Sequence, residues 1–250
     1  MKKILFCLAL GALVALVSCG SSNKQAAEET EENAAPAYST MDKEQVDLSK
    51  FKVDEEGYIV LFDGTSLEGW RGYGKDEVPS RWCIDDGCLK FSGSGTGEGQ
   101  QGDGGDIIFA HKFKNFELSF DWKVSKGGNS GVFYMIQEVT TEKDGETILE
   151  PSYISAPEYQ ILDNANHPDA KLGKDGNRQS ASLYDMIPAV PQNQNPYEQW
   201  NTGKILVYKG TVVHSQNGEN VLEYHLWTQQ WTDMLRRRTF RGQPQRRTQK

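Results

Sequence analysis

The segment Phe116-Glu117-Leu118-Ser119-Phe120-Asp121-Trp122-Lys123-Val124 decides the fold class, because apolar and polar residues alternate along all of it. This alternation is typical of a strand in an antiparallel sheet, with one face buried and the other in water. The pair Asn217-Gly218, which follows the apolar residues Val212 and Val213, is a two-residue hairpin signal. No segment has a long apolar helical stripe with caps. Further strands are predicted at residues 58–62, 88–91, 107–109, 131–137, 158–162, 205–209 and 221–226.

Many short strands separated by glycine-rich turns predict an all-β sandwich or jelly roll made of two antiparallel sheets. We place this domain at residues 55–231. The segment before it, residues 19–50, is rich in small and polar residues and has few that could be buried. Such a composition predicts a disordered tether.

The N-terminus predicts export. Met1-Lys2-Lys3 is basic, and the apolar run 4–17 is too short to span a bilayer. With the small residues that follow, residues 1–18 read as a signal peptide that ends before Cys19. Its bacterial lipobox pattern predicts that Cys19 carries acyl chains, the alternative being an ordinary signal peptide with a chance cysteine. We therefore expect a lipid-anchored protein of the bacterial cell envelope, at the outer membrane or facing the periplasm.

Charge and cysteine content narrow the class further. The formal net charge is -8, and the predicted domain has no basic patch, which argues against a nucleic-acid partner. Within the domain only Cys83 and Cys88 remain, on either side of a turn. Outside the cytoplasm they would be free to form a disulfide across a hairpin. Two cysteines are too few for a zinc site.

Several polar residues are candidates for a binding or catalytic site. Asn129 and Ser130 form either a tight turn or a polar rim suited to sugar hydroxyls. Strand alternation puts Glu158 and Gln160 on one face. Burying a carboxylate there would be costly if this face packed against the core, whereas a solvent-facing pair would have no special meaning. Asp163 follows that strand, where Asp is also common in turns. Four scattered residues have either structural or functional roles: Arg178, Tyr184, Trp200 and His214.

A series of short motifs resembles the family of 3-keto-disaccharide hydrolases over about residues 58–226. No single motif is specific, but their order and spacing are. The motifs are Leu61-Phe62-Asp63-Gly64, Gly69-Trp70, Trp82, Asp86-Gly87-Cys88-Leu89, Gly105-Asp106-Ile107, Phe116-Glu117-Leu118, Asn129-Ser130-Gly131, Glu158-Tyr159-Gln160-Ile161-Leu162-Asp163, Leu183-Tyr184, Trp200-Asn201 and Asn217-Gly218.

The resemblance implies a concanavalin-like jelly roll in the envelope of a sugar-degrading bacterium, acting on the glycosidic bond of sugars already oxidised at C3. For such a substrate we predict Glu158 as the base or a metal ligand, and Tyr184 or His214 as the proton donor to the leaving oxygen. Hydrogen-bond donors or a divalent metal ion would stabilise the enolate. Substrate-binding roles are expected for Asn129, Ser130, Gln160, Asp163, Arg178 and Trp200. The alternative function is a non-catalytic carbohydrate-binding lipoprotein.

The C-terminal residues 235–250 depart from this resemblance. Members of the family usually close with a Gly-Leu-Gln-Asp-His-Gly-like segment and an Arg-Asn-Ile-containing strand, and neither is present here. A strongly basic stretch stands in their place. We expect it to be disordered, and to be a truncated or frame-shifted end. The alternative is a genuine tail that contacts anionic lipid or polysaccharide.

Overall fold

The structure is a computed structural model that describes residues 37–93 and 104–242, with the backbone alone for 238–242. The predicted signal peptide, Cys19, the first part of the tether and the end of the basic tail lie outside these residues. The strands of the described part are β1 (Ser39–Thr40), β2 (Trp70–Gly72), β3 (Trp82–Asp85), β4 (Cys88–Phe91), β5 (Ile107–Phe109), β6 (Phe116–Trp122), β7 (Asn129–Phe133), β8 (Val139–Lys143), β9 (Glu146–Leu149), β10 (Glu158–Leu162), β11 (Asn201–Tyr208), β12 (Thr211–Gln216) and β13 (Glu219–His225). They are joined by short 3₁₀ turns and followed by a helix, α1 (Gln229–Gly242).

The larger layer is a four-stranded antiparallel sheet with the order β13-β12-β11-β6. The alternating segment forms β6, whose apolar side chains are more buried than the polar ones between them. In β11, a Cβ atom on Gly203 would approach Cζ of Phe120 to 2.5 Å. The Phe120 ring therefore lies across the bare backbone of the neighbouring strand.

The second layer is a two-stranded antiparallel sheet of β7 and β10. Residues 181–184 extend it along the free edge of β10, where Ala181 N–H donates to the Gln160 carbonyl and Tyr184 N–H to the Glu158 carbonyl. Tyr159 and Ile161 point toward the larger sheet, and the rings of Tyr159 and Phe120 meet edge to face at 5.3 Å. The all-β sandwich predicted from the sequence is confirmed.

The core lies between these two layers. Tyr159, Leu183 and Ile205 are completely buried in it. Each large apolar side chain removed from water in this way contributes about 1.5–3 kcal/mol to folding. Because β10 contributes Tyr159 and Ile161 to this core, its other face carries the polar residues Glu158 and Gln160 together with Leu162, which is buried outside this core.

The start of the folded region differs from the prediction. Ser39–Thr40 pair with β8 in a sheet of the order β1-β8-β9, and Val46 N–H donates to the Ala110 carbonyl. Residues predicted as the end of the tether thus belong to the domain, because their backbone groups have partners there. Smaller two-stranded sheets are formed by β2 with β5 and by β3 with β4.

The two cysteines of the domain are free thiols, so the predicted disulfide is wrong. In the β3–β4 hairpin, Cys83 pairs with Lys90 and Cys88 with Asp85, so the two cysteines are not opposite each other. The Cys83 sulfur lies 3.9 Å from Ser92 Oγ, and the Cys88 thiol faces the Asp86 carbonyl at 3.4 Å.

Helix α1 shows that the prediction of disorder for residues 235–250 is wrong as far as Gly242, although the sequence there lacks an apolar stripe. Thr228 precedes it and accepts a hydrogen bond from Trp231 N–H at 3.2 Å, as an N-cap residue does. Trp231 stacks on Tyr224 of β13 with ring centroids 5.4 Å apart, so the helix is attached to the larger sheet. Within the described ranges, no helix has the length and apolar character that crossing a bilayer requires.

Candidate active site

Glu158 begins β10 and lies on the outer face of the smaller sheet, opposite to its buried neighbour Tyr159. Its side chain is half-buried and folds over Gly131 of β7, where a Cβ atom would collide with the Glu158 carboxylate. Only glycine therefore allows the carboxylate to occupy this position. The prediction that Glu158 and Gln160 share a face holds in this strand.

The register of β7 and β10 puts two more polar residues on that outer face. Gln160 pairs with Gly131, and Leu162 with Asn129. Gln160 Nε2 lies 3.4 Å from Asn129 Oδ1, and the Gln160 side chain is 1% exposed whereas Asn129 is exposed. Ser130 pairs with Ile161, so alternation turns it to the other face and away from Glu158.

An ionic network lies beside this face. Arg178 donates from Nη1 to Asp169 Oδ1 at 2.8 Å and from Nε to Asp185 Oδ1 at 2.9 Å. The Tyr184 hydroxyl donates to the other oxygen of Asp169 at 2.9 Å, and the Arg178 guanidinium lies 5.3 Å from the centre of the Tyr184 ring. Sequence reasoning found Arg178 and Tyr184 but missed both aspartates.

Backbone bonds bring this network to Glu158. Tyr184 N–H donates to the Glu158 carbonyl at 3.1 Å, and Asp185 N–H to the Asn177 carbonyl at 2.8 Å. The isolated bridge between Tyr159 and Leu183 directs both of these side chains into the core, so alternation puts Tyr184 on the same outer face as Glu158. The structure thus assembles a carboxylate, a phenol and a guanidinium from three separate parts of the sequence.

The surroundings of Tyr184 shift its pKa. Burial, the hydrogen bond to Asp169 and the negative charges of Asp169 and Glu158 raise the pKa of Tyr184 above its ordinary value, and Arg178 opposes them. Tyr184 is therefore a neutral phenol throughout the physiological range. The single hydroxyl hydrogen of Tyr184 is directed at Asp169, whose carboxylate accepts it.

His214 is not part of this site, and its assignment as a proton donor is wrong. Its side chain is completely buried in the core, with Nδ1 2.9 Å from the Ala181 carbonyl and Nε2 2.8 Å from the Tyr134 hydroxyl. Burial lowers the pKa of His214 to about 4. A side chain that no solvent reaches cannot hand a proton to a bound substrate.

Asp163 and Trp200 also lie away from the network. Asp163 is 2% exposed and accepts hydrogen bonds from Gly127 N–H at 2.8 Å and from Asn166 Nδ2 at 2.7 Å. It is the turn residue that the alternative interpretation described, and its assignment to substrate binding is wrong. Trp200 precedes β11 in the larger sheet, is 48% exposed and is covered by Lys123, whose Nζ lies 4.7 Å from the ring centre. The exposed ring of Trp200 thus lies next to the four-stranded sheet, whereas Glu158 belongs to the two-stranded sheet.

Asp185 also borders a small cavity of about 170 Å³, to which α1 contributes. The cavity is lined by Lys174, Asp175, Asn177, Asp185, Met186, Pro188, Met234 and Arg237. Among the described residues, no group of three or more His, Cys, Asp or Glu side chains could hold a metal ion. Asp169 and Asp185 are both bonded to the Arg178 guanidinium, which places a positive charge in this network.

These features define a class: a two-layer antiparallel β-sandwich whose smaller sheet carries an acid–base cluster on its outer face. The fold is similar to the crystal structure of a candidate glycosyl hydrolase from Parabacteroides distasonis ATCC 8503. The two share 27% sequence identity with a TM-score of 0.57, and the similarity covers 74% of this chain and 78% of the other.

Residues 57–248 match the family described as the 3-keto-alpha-glucoside-1,2-lyase-like domain, and the chain belongs to this family. The match extends through most of the basic segment where we expected a departure. A relative from Bacteroides thetaiotaomicron strain VPI-5482, named 3-keto-disaccharide hydrolase, is 63% identical over 249 residues, which cover 96% of this chain and 85% of the relative. The resemblance inferred from the sequence motifs is therefore confirmed.

Proposed function

We propose that the protein hydrolyses the glycosidic bond of 3-keto sugars, with Glu158 as the base. The observation that carries this proposal is the position of the Glu158 carboxylate, half-buried over Gly131 and beside the Tyr184–Arg178 network. The family and the name of the Bacteroides relative support the same substrate class.

The chemistry of a 3-keto sugar requires fewer groups than that of an ordinary glycoside, for which two carboxylates flank the bond. A ketone at C3 acidifies the hydrogen on C2. The Glu158 carboxylate takes this proton, and the electron pair of the C2–H bond forms an enolate with the ketone. The enolate then re-forms the ketone and a C1–C2 double bond while the C1–oxygen bond breaks. Glu158 returns its proton to the departing oxygen.

Water completes the hydrolysis. It adds to C1 of the unsaturated ketone, its hydroxyl group stays on C1, and a proton is delivered to C2. The sum is one water consumed and one glycosidic bond cleaved, with Glu158 returned to its ionised form. Because the same carboxylate first takes and then returns a proton, no second carboxylic acid is needed.

The neighbours of Glu158 have distinct roles in this scheme. Arg178 is held by two aspartates through Nε and Nη1, which fixes a positive charge where it can stabilise the enolate oxygen. Tyr184 was a predicted proton donor, but its hydrogen is directed at Asp169. We therefore assign to the Tyr184 oxygen the role of orienting the substrate by accepting a hydrogen bond from it. Glu158 supplies the proton that the leaving oxygen receives. Asn129, on the same sheet face and exposed, is available to bind hydroxyls.

The test is cleavage of a 3-keto disaccharide by the purified protein and by two variants. Glu158→Gln keeps the shape of the side chain but removes the base, and we expect kcat to fall by about 100-fold or more. Glu223→Gln is the matched control, because Glu223 is 58% exposed on β13, and should keep wild-type kcat. Retention of the glycan without turnover by the wild type would instead establish the non-catalytic binding protein, and full turnover by Glu158→Gln would remove Glu158 as the base.

We propose further that the protein is exported and anchored in the cell envelope through Cys19. Support comes from the order of a basic start, an apolar run and a cysteine after small residues in residues 1–19. Cells that express the full chain should incorporate a fatty-acid label into the wild type but not into Cys19→Ser. A labelled Cys19→Ser variant, or an unlabelled wild type, would contradict the anchor.

A further inference from the structure

The hydrogen bond between Tyr184 and Asp169 has a fixed direction. The Tyr184 hydroxyl donates to Asp169 Oδ2 at 2.9 Å, and Arg178 Nη1 donates to Asp169 Oδ1 at 2.8 Å. The carboxylate of this ion pair accepts hydrogen bonds at both oxygens, so the phenol is the donor. The Asp169 side chain is only 13% exposed, so water competes little for this bond.

A phenol whose one hydrogen is already used offers only lone pairs to a ligand. Tyr184 is partly accessible and shares the outer sheet face with Glu158, so a substrate bound at Glu158 would meet a hydrogen-bond acceptor there. A substrate hydroxyl can satisfy this acceptor. A fluorine atom or a hydrogen at the same position cannot.

We propose that Asp169 is a positioning residue that makes Tyr184 an obligatory acceptor, so that the site selects 3-keto glycosides with a hydroxyl donor at the position facing Tyr184. This inference rests on the proposed function and goes beyond it, since it assigns a specificity to a residue that need not touch the substrate. Leaving a desolvated acceptor unpaired is costly, so an analogue without the hydroxyl should react about 10- to 100-fold more slowly.

The chain contains a matched control for Asp169. Asp185 binds the same guanidinium at a similar distance, 2.9 Å to Nε, but the Tyr184 hydroxyl is bonded to Asp169. Replacing either aspartate by asparagine removes one negative charge from Arg178. Only the change at Asp169 frees the direction of the Tyr184 hydrogen bond, because an asparagine amide can donate to the phenol oxygen as well as accept from it.

The experiment measures kcat/KM for a 3-keto disaccharide and for analogues in which each remaining hydroxyl of the oxidised ring is replaced by fluorine. We expect one analogue to lose about 10- to 100-fold with the wild type. This penalty should shrink to about 3-fold or less in Tyr184→Phe and in Asp169→Asn. Asp185→Asn should retain it, whatever its effect on kcat/KM for the parent substrate.

Each other outcome contradicts a specific statement. If the wild type cleaves no 3-keto disaccharide, the proposed function is wrong. If the parent compound is cleaved but the fluorinated analogue loses the same factor in kcat/KM with Tyr184→Phe as with the wild type, Tyr184 does not accept a hydrogen bond from that hydroxyl. If both asparagine variants lose the penalty equally, the effect belongs to Arg178 and the positioning role of Asp169 is wrong. Should Asp169→Asn fail to fold, the comparison of the wild type with Tyr184→Phe still decides whether Tyr184 accepts from the substrate.

Discussion

Acidification should weaken the fold through one core residue, His214. Its imidazole is completely buried between the layers, and burial lowers its pKa from 6.5 to about 4. The neutral form fits its surroundings, since Nδ1–H donates to the Ala181 carbonyl and Nε2 accepts from the Tyr134 hydroxyl. In the unfolded chain the same imidazole takes up a proton near its ordinary pKa.

The sign and size of the effect follow from this difference in pKa. The folded pKa is depressed, so the stabilisation is complete above the unfolded pKa and is lost as the pH falls from about 6.5 toward about 4. Between pH 7 and pH 5 the free energy of unfolding should decrease by about 2 kcal/mol from His214 alone. Below the folded pKa the loss should level off at about 3 kcal/mol.

Urea unfolding at a series of pH values measures this, with His214→Gln as the comparison. All other titrating groups are common to the two proteins, so the difference between their pH profiles isolates His214. A wild type and a variant with parallel profiles between pH 7 and pH 5 would refute the reasoning. If the variant does not fold, an NMR titration of the wild-type imidazole decides, because it should remain neutral to below about pH 5.

Three further changes test the site and the core. Gly131→Ala should push the Glu158 carboxylate out of place and lower kcat by about 100-fold, while urea unfolding shows little change in stability; an unchanged kcat would contradict the close approach. Asp169→Asn should lower the pKa of Tyr184, since it removes a negative charge and a hydrogen-bond acceptor. Ultraviolet difference titration measures this pKa, with Tyr184→Phe identifying the signal of Tyr184. An unchanged pKa in Asp169→Asn would show that the pair does not interact. Tyr159→Ala should lower the free energy of unfolding by about 3–5 kcal/mol because the ring is fully buried. Tyr208→Ala should lower it by about 0.5 kcal/mol or less, because Tyr208 is 54% exposed. Equal losses in urea unfolding would contradict the burial of Tyr159 in the core.

The sequence predicted what depends on local periodicity. Alternation in β6 identified the strand and its buried face, and alternation in β10 put Glu158 and Gln160 on one face. Both inferences need only the two-residue repeat of a strand. Which of the two faces meets the core depends on what packs against it, and a single segment does not contain that information.

The errors have the same physical origin. His214 and Asp163 are polar residues that occur in functional sites and in structural ones, and only their partners, the Ala181 carbonyl and Gly127 N–H, show which applies. Asp169 and Asp185 were missed because their importance comes from Arg178, which a loop brings to both of them. Cys83 and Cys88 failed to pair because the hairpin register offsets them.

The main-chain bond from Tyr184 N–H to the Glu158 carbonyl has a consequence for how this protein can vary. Glu158 of β10 and Tyr184 of the adjacent segment 181–184 are held at a spacing set by this main-chain bond, so loops elsewhere can lengthen or shorten without separating the two side chains. A single inserted residue between Ala181 and Tyr184 would be different, because it would exchange inward and outward side chains and turn the phenol into the core. An insertion between Ala181 and Tyr184 should therefore eliminate turnover, whereas insertions in exposed loops elsewhere should be tolerated.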